Sequence, residues 1–297
     1  MNLLRVYPLN QKAANSNARW SGANGAEKAK GEDGNLYVVK SPRYGRNHHL
    51  LTSSEVNETI AKEVVASHIL ADEFKLPGIP YQEGISQRED SPPEKAVICP
   101  YVPDLSTLWE TSAKKIKNPD EAVAQSVVRG WLGDPDTIIN NSNIFIKKDG
   151  TVLSGDYGLA FQRGIRYKIA PHLPGKGAPK ASLTIMNEYA SPSNVEPVSE
   201  KIKHLSDEEI RGMVHKYGTE YTSFWDSKLE DQFTQILIQN RDELAAKNVF
   251  ENFYKGFHPF ITPPISIAIG AVVPHIGLPL AQAFRVFHDH LPKGLRK

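Results

Sequence analysis

Cysteine is nearly absent from this chain of 297 residues, which contains only Cys99. A disulfide framework or a cysteine-based zinc cluster needs more than one cysteine, so both are excluded. Charge of one sign is not in excess either, since 35 Lys and Arg residues face 34 Asp and Glu residues. A generic nucleic-acid binder needs a basic surplus for its phosphate contacts, so we predict no nucleic-acid partner.

The chain also lacks the usual signs of a targeting or membrane-spanning segment. Its start, MNLLRVYPLN, has one Arg and no apolar run long enough for a secretory signal. The stretch from Pro259 to Phe284 has no charged side chain, but four further prolines would interrupt a single spanning helix. We predict a pair of short buried helices there, and membrane contact is the weaker alternative. These features favour a cytoplasmic protein, and they also fit a bacterial effector delivered into a host cell.

The first third of the chain is predicted to form strands around one helix. Asn35–Lys40 and Glu94–Val102 are rich in β-branched and apolar residues, as strands are. Ser54–Phe74 carries apolar residues at helical spacing, and Leu76-Pro-Gly ends that pattern. The Gly-rich stretch Ser21–Gly34 leads into the first of these strands and indicates a turn.

The remainder of the chain is predicted to be mostly helical. Asp120–Leu132 has a helical pattern, and a second helical region begins near Leu205, where Ser206 and Glu209 form a capping-box signature. Strands followed by helices predict an α+β fold with two lobes. We place a strand-rich N-lobe at residues 1–102 and a helical C-lobe at residues 103–297.

Between these helices lies a hairpin that points to chemistry. Ile144–Ile146 and Thr151–Leu153 flank Lys147-Lys-Asp-Gly150, a typical hairpin turn. A hairpin brings its two ends together, so Asn143 and Asp156 are predicted to be neighbours. Amide and carboxylate oxygens are ligands that Mg²⁺ prefers, with positions left for water and phosphate.

The loop before the hairpin adds two more carboxylates, Asp134 and Asp136. A carboxylate there could orient or deprotonate an attacking hydroxyl, and an acid and amide set of this kind is what phosphoryl transfer uses. Any one of these residues would by itself indicate only a turn. Their order and spacing are what favour phosphoryl transfer.

The order of these features resembles the protein-kinase-like superfamily, in its atypical branch. That branch includes the HipA toxin kinases, the phosphoinositide 3- and 4-kinases and the secretory-pathway casein kinases. Asp156-Tyr-Gly-Leu-Ala-Phe161 is similar to the Asp-Asn-Gly-Leu-Ala-Phe metal motif of type II phosphatidylinositol 4-kinases. Asn141-Ser-Asn143-Ile resembles the Asn-Ser-Asn-Ile of the phosphoinositide 3-kinase catalytic loop. The resemblance spans Trp20 to Phe161 and implies a two-lobed kinase-like fold that binds ATP with Mg²⁺ or Mn²⁺.

The resemblance also implies roles for residues of the N-lobe. Lys40 would bind the α- and β-phosphates of ATP. Glu63, or in second place Glu58, would pair with that lysine from the helix. The backbone of Val97, Cys99 and Tyr101 would form the linker between the lobes and hold the adenine.

In the C-lobe, the resemblance is incomplete at the expected base. The usual spacing leaves four residues between the catalytic Asp and the metal-binding Asn, which Asp136 and Asn141 satisfy, yet Asn143 is the residue next to the strand. We predict Asp136 as the base and Asn143 with Asp156 as the metal ligands, and Asp134 and Asn141 are the alternatives. The departure leaves open a pseudokinase that acts as a binding module.

A basic segment follows Asp156, in the part of the chain that faces the acceptor in this superfamily. Residues 157–187 contain no acidic residue but five cations, namely Arg163, Arg166, Lys168, Lys176 and Lys180. This positive potential suits phosphate groups, although it also fits an ordinary solvated loop. We predict a HipA-like Ser/Thr protein kinase, and the alternative is a kinase of phosphoinositides or inositol phosphates. A protein or phosphoinositide would be the acceptor, and an inositol polyphosphate is a further possible ligand.

Overall fold

The computed structural model describes residues 3–12, 26–42, 50–89, 91–108, 111, 113–134, 143–162 and 182–245. The strands are Leu4–Lys12 (β1), Glu27–Gly31 (β2), Leu36–Lys40 (β3), Gln82–Ser86 (β4), Glu94–Pro100 (β5), Ser106–Thr107 (β6), Ile144–Ile146 (β7) and Val152–Ser154 (β8). The α-helices are Ser53–His68 (α1), Pro119–Trp131 (α2), Ser182–Tyr189 (α3), Pro192–Lys203 (α4), Asp207–Tyr221 (α5) and Ser227–Ala245 (α6). The predicted mixture of strands and helices is confirmed.

Several sequence predictions fall on residues outside these ranges. They concern Asp136, Asn141, the five cations between residues 163 and 180, and the apolar stretch from Pro259 to Phe284. Among the helices that the structure describes, none combines the length and the apolar character needed to cross a membrane.

The first five strands close into a barrel in the order β1-β2-β3-β5-β4. Neighbouring strands are antiparallel, apart from β1 and β4, which close the barrel in parallel. Alternate side chains point inward, and they form a small buried core of Val6, Ala29, Val39, Ala96 and Ile98. Closure gives each of these strands a partner on both sides and so protects its backbone edges.

The predicted Gly-rich turn is shorter than the sequence indicates. Within Ser21–Gly34, residues Glu27–Gly31 form β2, because they pair with β1 on one side and β3 on the other. The turn to β3 is closed by Gly34, whose φ of +85° lies in the left-handed region that glycine adopts without strain.

Helix α1 begins at a reciprocal cap between Thr52 and Glu55. The Glu55 N–H donates to the Thr52 hydroxyl at 3.3 Å, and the Thr52 N–H donates to the Glu55 carboxylate at 2.8 Å. The apolar face of α1 joins the main core, which continues into the later helices. The predicted helix up to Phe74 is correct in extent, but its last turn, Ile69–Glu73, is a π-helix.

The hairpin β7–β8 begins where the sequence predicts it and returns one residue later. Ile144 pairs with Ser154, and Ile146 pairs with Val152. The sequence predicts Thr151 in the second strand, but its N–H donates to the Asp149 carboxylate at 2.9 Å, so it belongs to the turn. Both chain ends of the hairpin therefore lie at the edge where Ile144 meets Ser154.

Helix α2 lies at the centre of the helical part. The indole N–H of Trp131 donates to the Leu237 carbonyl of α6 at 3.0 Å. The rings of Phe161 and Phe233 stack with centroids 4.0 Å apart, which fixes the segment after Asp156 against helix α6. The predicted cap of Ser206 with Glu209 is present at the start of α5.

Candidate functional site

Three charged side chains from distant parts of the chain meet beside the barrel. Lys40 ends β3, Glu63 lies in the middle of α1, and Asp156 follows β8 by two residues. The Lys40 ammonium donates to Glu63 Oε1 at 2.9 Å and to Asp156 Oδ1 at 3.0 Å. The side chains of Lys40, Glu63 and Asp156 are 12%, 1% and 33% exposed, so the cluster opens to solvent on the Asp156 side.

The three groups shift one another's proton affinity. Burial acts to lower the pKa of Lys40, but Asp156 and Glu63 outweigh it and hold that pKa well above its usual value. Burial raises the pKa of Glu63 to about 7, an effect that Lys40 only partly offsets. Burial also opposes ionisation of Asp156, yet Lys40 keeps the pKa of this carboxyl below its usual range. The lysine is therefore a cation and Asp156 a carboxylate at neutral pH.

Asp156 itself has an unusual backbone, since its φ is +58°. This left-handed conformation is uncommon for residues other than glycine and needs support from its surroundings. Arg129 of α2 supplies it by donating to the Gly155 carbonyl at 2.7 Å and to the Asp156 carbonyl at 2.8 Å.

Tyr81 and Glu63 hold the same turn through its amides. The Asp156 N–H donates to the Tyr81 hydroxyl at 3.1 Å, and the Tyr157 N–H donates to Glu63 Oε2 at 2.8 Å. The Tyr81 ring also lies under the Lys40 ammonium, 4.9 Å from its centroid. Glu63 thus contacts both Lys40 and the backbone next to Asp156.

Asp134 is a structural residue, and the prediction of this carboxylate as an alternative base is wrong. It is fully buried and paired with the equally buried Arg129, whose Nε donates to Asp134 Oδ2 at 2.9 Å and whose Nη2 donates to the same oxygen. The Asp134 N–H also donates to the Arg129 carbonyl at 3.0 Å. A carboxylate held in this way cannot meet an acceptor that arrives from solvent.

Glu58 is not the partner of Lys40, so that alternative is also wrong. Its carboxylate accepts from Lys62 at 2.7 Å and from Gln232 of α6 at 3.3 Å. Five residues of helix separate Glu58 from Glu63, which places the two side chains on different faces of α1.

The residues predicted to form an adenine-binding linker lie within β5 or directly after it. Val97 lies within the sheet, paired with Lys40 on one side and with Glu83 on the other. Its backbone groups are therefore used by neighbouring strands, and the predicted backbone contact between Val97 and adenine is wrong.

Cys99 lies near the end of β5, and Tyr101 directly follows that strand. Cys99 is buried, and burial raises the pKa of its thiol to about 12, so it packs as an apolar side chain. The Tyr101 N–H donates to the Leu36 carbonyl at 3.0 Å. The Lys28 ammonium lies 4.3 Å from the centroid of the Tyr101 ring.

Asn143 and Asp156 lie one and two residues beyond the last pair of the β7–β8 hairpin, Ile144 with Ser154. Asn143 is buried. Among the described residues, no group of three His, Cys, Asp or Glu side chains is arranged to hold a metal ion. One amide and one partly exposed carboxylate nevertheless fit Mg²⁺, which proteins often bind through one or two carboxylates together with substrate phosphates and water.

Arg129 and Tyr81 are site residues that the sequence analysis did not identify. Arg129 interrupts an otherwise apolar stretch, Val127-Val-Arg-Gly-Trp131, and a charge in such a position is a signal for a buried ion pair. Tyr81 follows a proline-containing turn and has no comparable signal.

No protein-family model and no curated protein sequence matches this chain. Among similar solved structures, one described as the open conformation of CtTel1 has 13% identity and a TM-score of 0.43, and the similarity covers 80% of this chain and 11% of that chain. Another, the MAP kinase LmaMPK10 from Leishmania major, has 10% identity and a TM-score of 0.32 over 92% of each chain. Both TM-scores are below 0.5, so neither similarity carries an argument about function.

Proposed function

We propose that this chain is an ATP-dependent phosphotransferase of the protein-kinase-like type. ATP would bind with Mg²⁺ or Mn²⁺ between a strand-rich N-lobe, residues 1–102, and a helical C-lobe, residues 103–297. The contact of Lys40 with both Glu63 and Asp156 is the observation that carries this proposal. It brings together a cation for phosphate, a residue that holds that cation, and a carboxylate for a metal ion.

Each described residue of the site would have a distinct task. Lys40, kept positive by its two carboxylate neighbours, would bind the phosphates of ATP, and Glu63 would hold the lysine in place. Asp156 and Asn143 would hold Mg²⁺ through their oxygen atoms. When bound, this ion neutralises negative charge on the phosphates. Asp136, two residues after the buried Asp134, would orient the acceptor hydroxyl.

We propose the hydroxyl of a protein Ser or Thr as the acceptor. The five cations without an acidic residue between residues 157 and 187 favour a second candidate, an inositol phosphate or phosphoinositide. Both acceptors present an alcohol to the same phosphoryl group, so the residues around Lys40 would do the same work in either case.

A transfer assay with labelled ATP tests the proposal. The variants are Lys40→Met and Asp156→Asn, and the matched control is Lys95→Met, since Lys95 also contacts a buried carboxylate, Glu83, at 3.3 Å. Protein substrates, phosphoinositide vesicles and the protein itself are offered in parallel, with Mg²⁺ or Mn²⁺.

We expect the wild type and the control to transfer label, and both site variants to lose about 100-fold or more in rate. Lys40→Met removes the cation that would bind the phosphates, and Asp156→Asn removes the carboxylate charge that would hold the metal ion. Site variants that transfer label as fast as the wild type would contradict the assignment of the site. If the wild type binds ATP but transfers no label, the chain would be a pseudokinase that acts as a binding module. A wild type that does neither would refute the kinase proposal.

A further inference from the structure

We infer that Arg129 and Tyr81 are positioning residues for Asp156, which hold its backbone so that its carboxylate meets Lys40 and a metal ion. This inference rests on the proposed function. Neither residue would touch ATP or the metal ion in this role. Both would act through the backbone at Asp156.

The first observation is that side chains bind every polar backbone group from the Gly155 carbonyl to the Tyr157 amide. Arg129 donates to the two carbonyls, at 2.7 and 2.8 Å. The Tyr81 hydroxyl accepts from the Asp156 amide at 3.1 Å, and Glu63 accepts from the Tyr157 amide at 2.8 Å. A turn without such support would satisfy these groups with water or with its own backbone.

The second observation is the conformation that these bonds stabilise. The φ of Asp156 is +58°, a region that costs free energy for a residue with a Cβ atom. The surrounding side chains must therefore keep the turn from relaxing to an ordinary conformation. A relaxed turn would aim the Asp156 carboxylate away from Lys40, which it now contacts at 3.0 Å.

The third observation is that Arg129 joins two parts of the proposed site. On one side its guanidinium holds Asp134, two residues before the predicted base Asp136. On the other side it holds the Gly155 and Asp156 carbonyls. A single buried side chain thus fixes Asp134 relative to the predicted metal ligand. Lysine keeps the charge but cannot reproduce this planar set of donors.

The variants that test the inference are Tyr81→Phe and Arg129→Lys in the full chain. Tyr81→Phe keeps the ring under Lys40 and removes only the hydroxyl that binds the Asp156 amide. The matched control is Tyr217→Phe, because Tyr217 is also buried and its hydroxyl contacts Glu73, outside the site.

Three measurements separate positioning from general stability. The affinity for Mn²⁺ is measured by electron paramagnetic resonance with a saturating, non-hydrolysable ATP analogue, and the affinity for ADP is measured without metal. Hydrogen exchange of the segment around Asp156 reports the backbone directly, without any ligand.

We expect Tyr81→Phe to weaken Mn²⁺ binding about tenfold and Arg129→Lys about 10- to 100-fold, as residues that orient metal ligands do. Metal-free ADP binding should be unchanged in Tyr81→Phe, and exchange near Asp156 should accelerate. Tyr217→Phe should match the wild type in all three measurements. If Arg129→Lys does not fold, the result for Tyr81→Phe alone decides whether the inference holds.

Wild-type Mn²⁺ affinity in Tyr81→Phe would overturn the inference and leave the proposed function intact. The inference would also be overturned if Tyr217→Phe weakens Mn²⁺ binding as much as Tyr81→Phe does. A wild type that binds neither the ATP analogue nor Mn²⁺ would instead refute the proposed function, and the inference would fall with it.

Discussion

Removing the Arg129 side chain would take a cationic partner away from the Asp134 carboxylate in the protein core. Asp134 and Arg129 are both fully buried, and their ion pair includes a bond of 2.9 Å from Arg129 Nε. In Arg129→Met the Asp134 carboxylate would lose this partner, and two backbone carbonyls near Asp156 would lose their donors. The stability of the folded protein should therefore fall sharply.

The magnitude follows from these contacts. Breaking a buried ion pair from one side costs about 3–5 kcal/mol, because the remaining charge is left without compensation. Each unsatisfied carbonyl adds about 1–3 kcal/mol if water does not reach it. The Asp156 carbonyl is only partly buried, so the sum counts the buried Gly155 carbonyl alone. We expect Arg129→Met to lose roughly 4–8 kcal/mol, a large part of the roughly 5–15 kcal/mol that folds a typical domain.

A second substitution separates the charge from the carbonyl bonds. The double variant Arg129→Met, Asp134→Ala also lacks the Asp134 carboxylate. Only the Gly155 and Asp156 carbonyls then lose their donor. This double variant should be more stable than Arg129→Met alone by about 2 kcal/mol or more. Asp134→Ala alone should cost less than Arg129→Met, since the guanidinium keeps its two carbonyl acceptors.

Urea denaturation, followed by tryptophan fluorescence, measures these differences, and Trp131 is a buried reporter next to Arg129. The comparison requires that the unfolding free energy falls with urea at the same slope in every variant. A double variant that is no more stable than Arg129→Met would refute the reasoning. Asp134→Ala remains a measurable comparison if Arg129→Met does not fold.

Two further predictions concern single side chains. Cys99, the one cysteine of the chain, should resist iodoacetamide at about pH 8 in the folded protein and react once urea unfolds it, because burial raises its thiol pKa to about 12; rapid alkylation of the native protein, detected by whole-protein mass spectrometry, would contradict its burial. Glu230 accepts from His215 at 2.7 Å, and this bond holds the pKa of Glu230 below its usual 4.5. The wild type should thus exceed Glu230→Gln in stability by less than about 1 kcal/mol above pH 4.5, and this margin should shrink as pH falls. A margin that stays constant in urea titrations as the pH is lowered from about 5 to about 2 would contradict the assignment.

The elements that sequence predicts well are those specified by local signals. The predicted bounds of strand β5, and those of helix α1 taken together with its π-helical last turn, lie within about two residues of the observed ones. Capping, periodicity and turn residues lie inside or next to each of these elements. The sequence does not predict the barrel, because its closing contact joins β1 to β4 in parallel across some seventy residues of chain. No local pattern encodes that pairing.

The same distinction applies to the site. Asn143 and Asp156 stand out in the sequence because they flank a predicted hairpin, whereas Lys40 and Glu63 are identified through the resemblance to the kinase-like superfamily. The structure brings Lys40, Glu63 and Asp156 into contact. The Arg129 side chain donates to the Asp156 carbonyl from helix α2. Its importance depends on tertiary packing, which a single sequence does not reveal.

Asp134 and Asp136 show where reasoning from residue type ends. Two residues apart in one polar segment of the sequence, they are chemically identical candidates for a base, and spacing alone does not separate them. Packing does, because the backbone after α2 turns at Gly133, φ +68°, and brings Asp134 back onto Arg129. A Cβ atom at position 133 would clash with the Gln162 carbonyl oxygen, so this turn depends on glycine. The residue that excludes Asp134 as a base is therefore a neighbouring glycine, whose effect depends on a segment nearly thirty residues away.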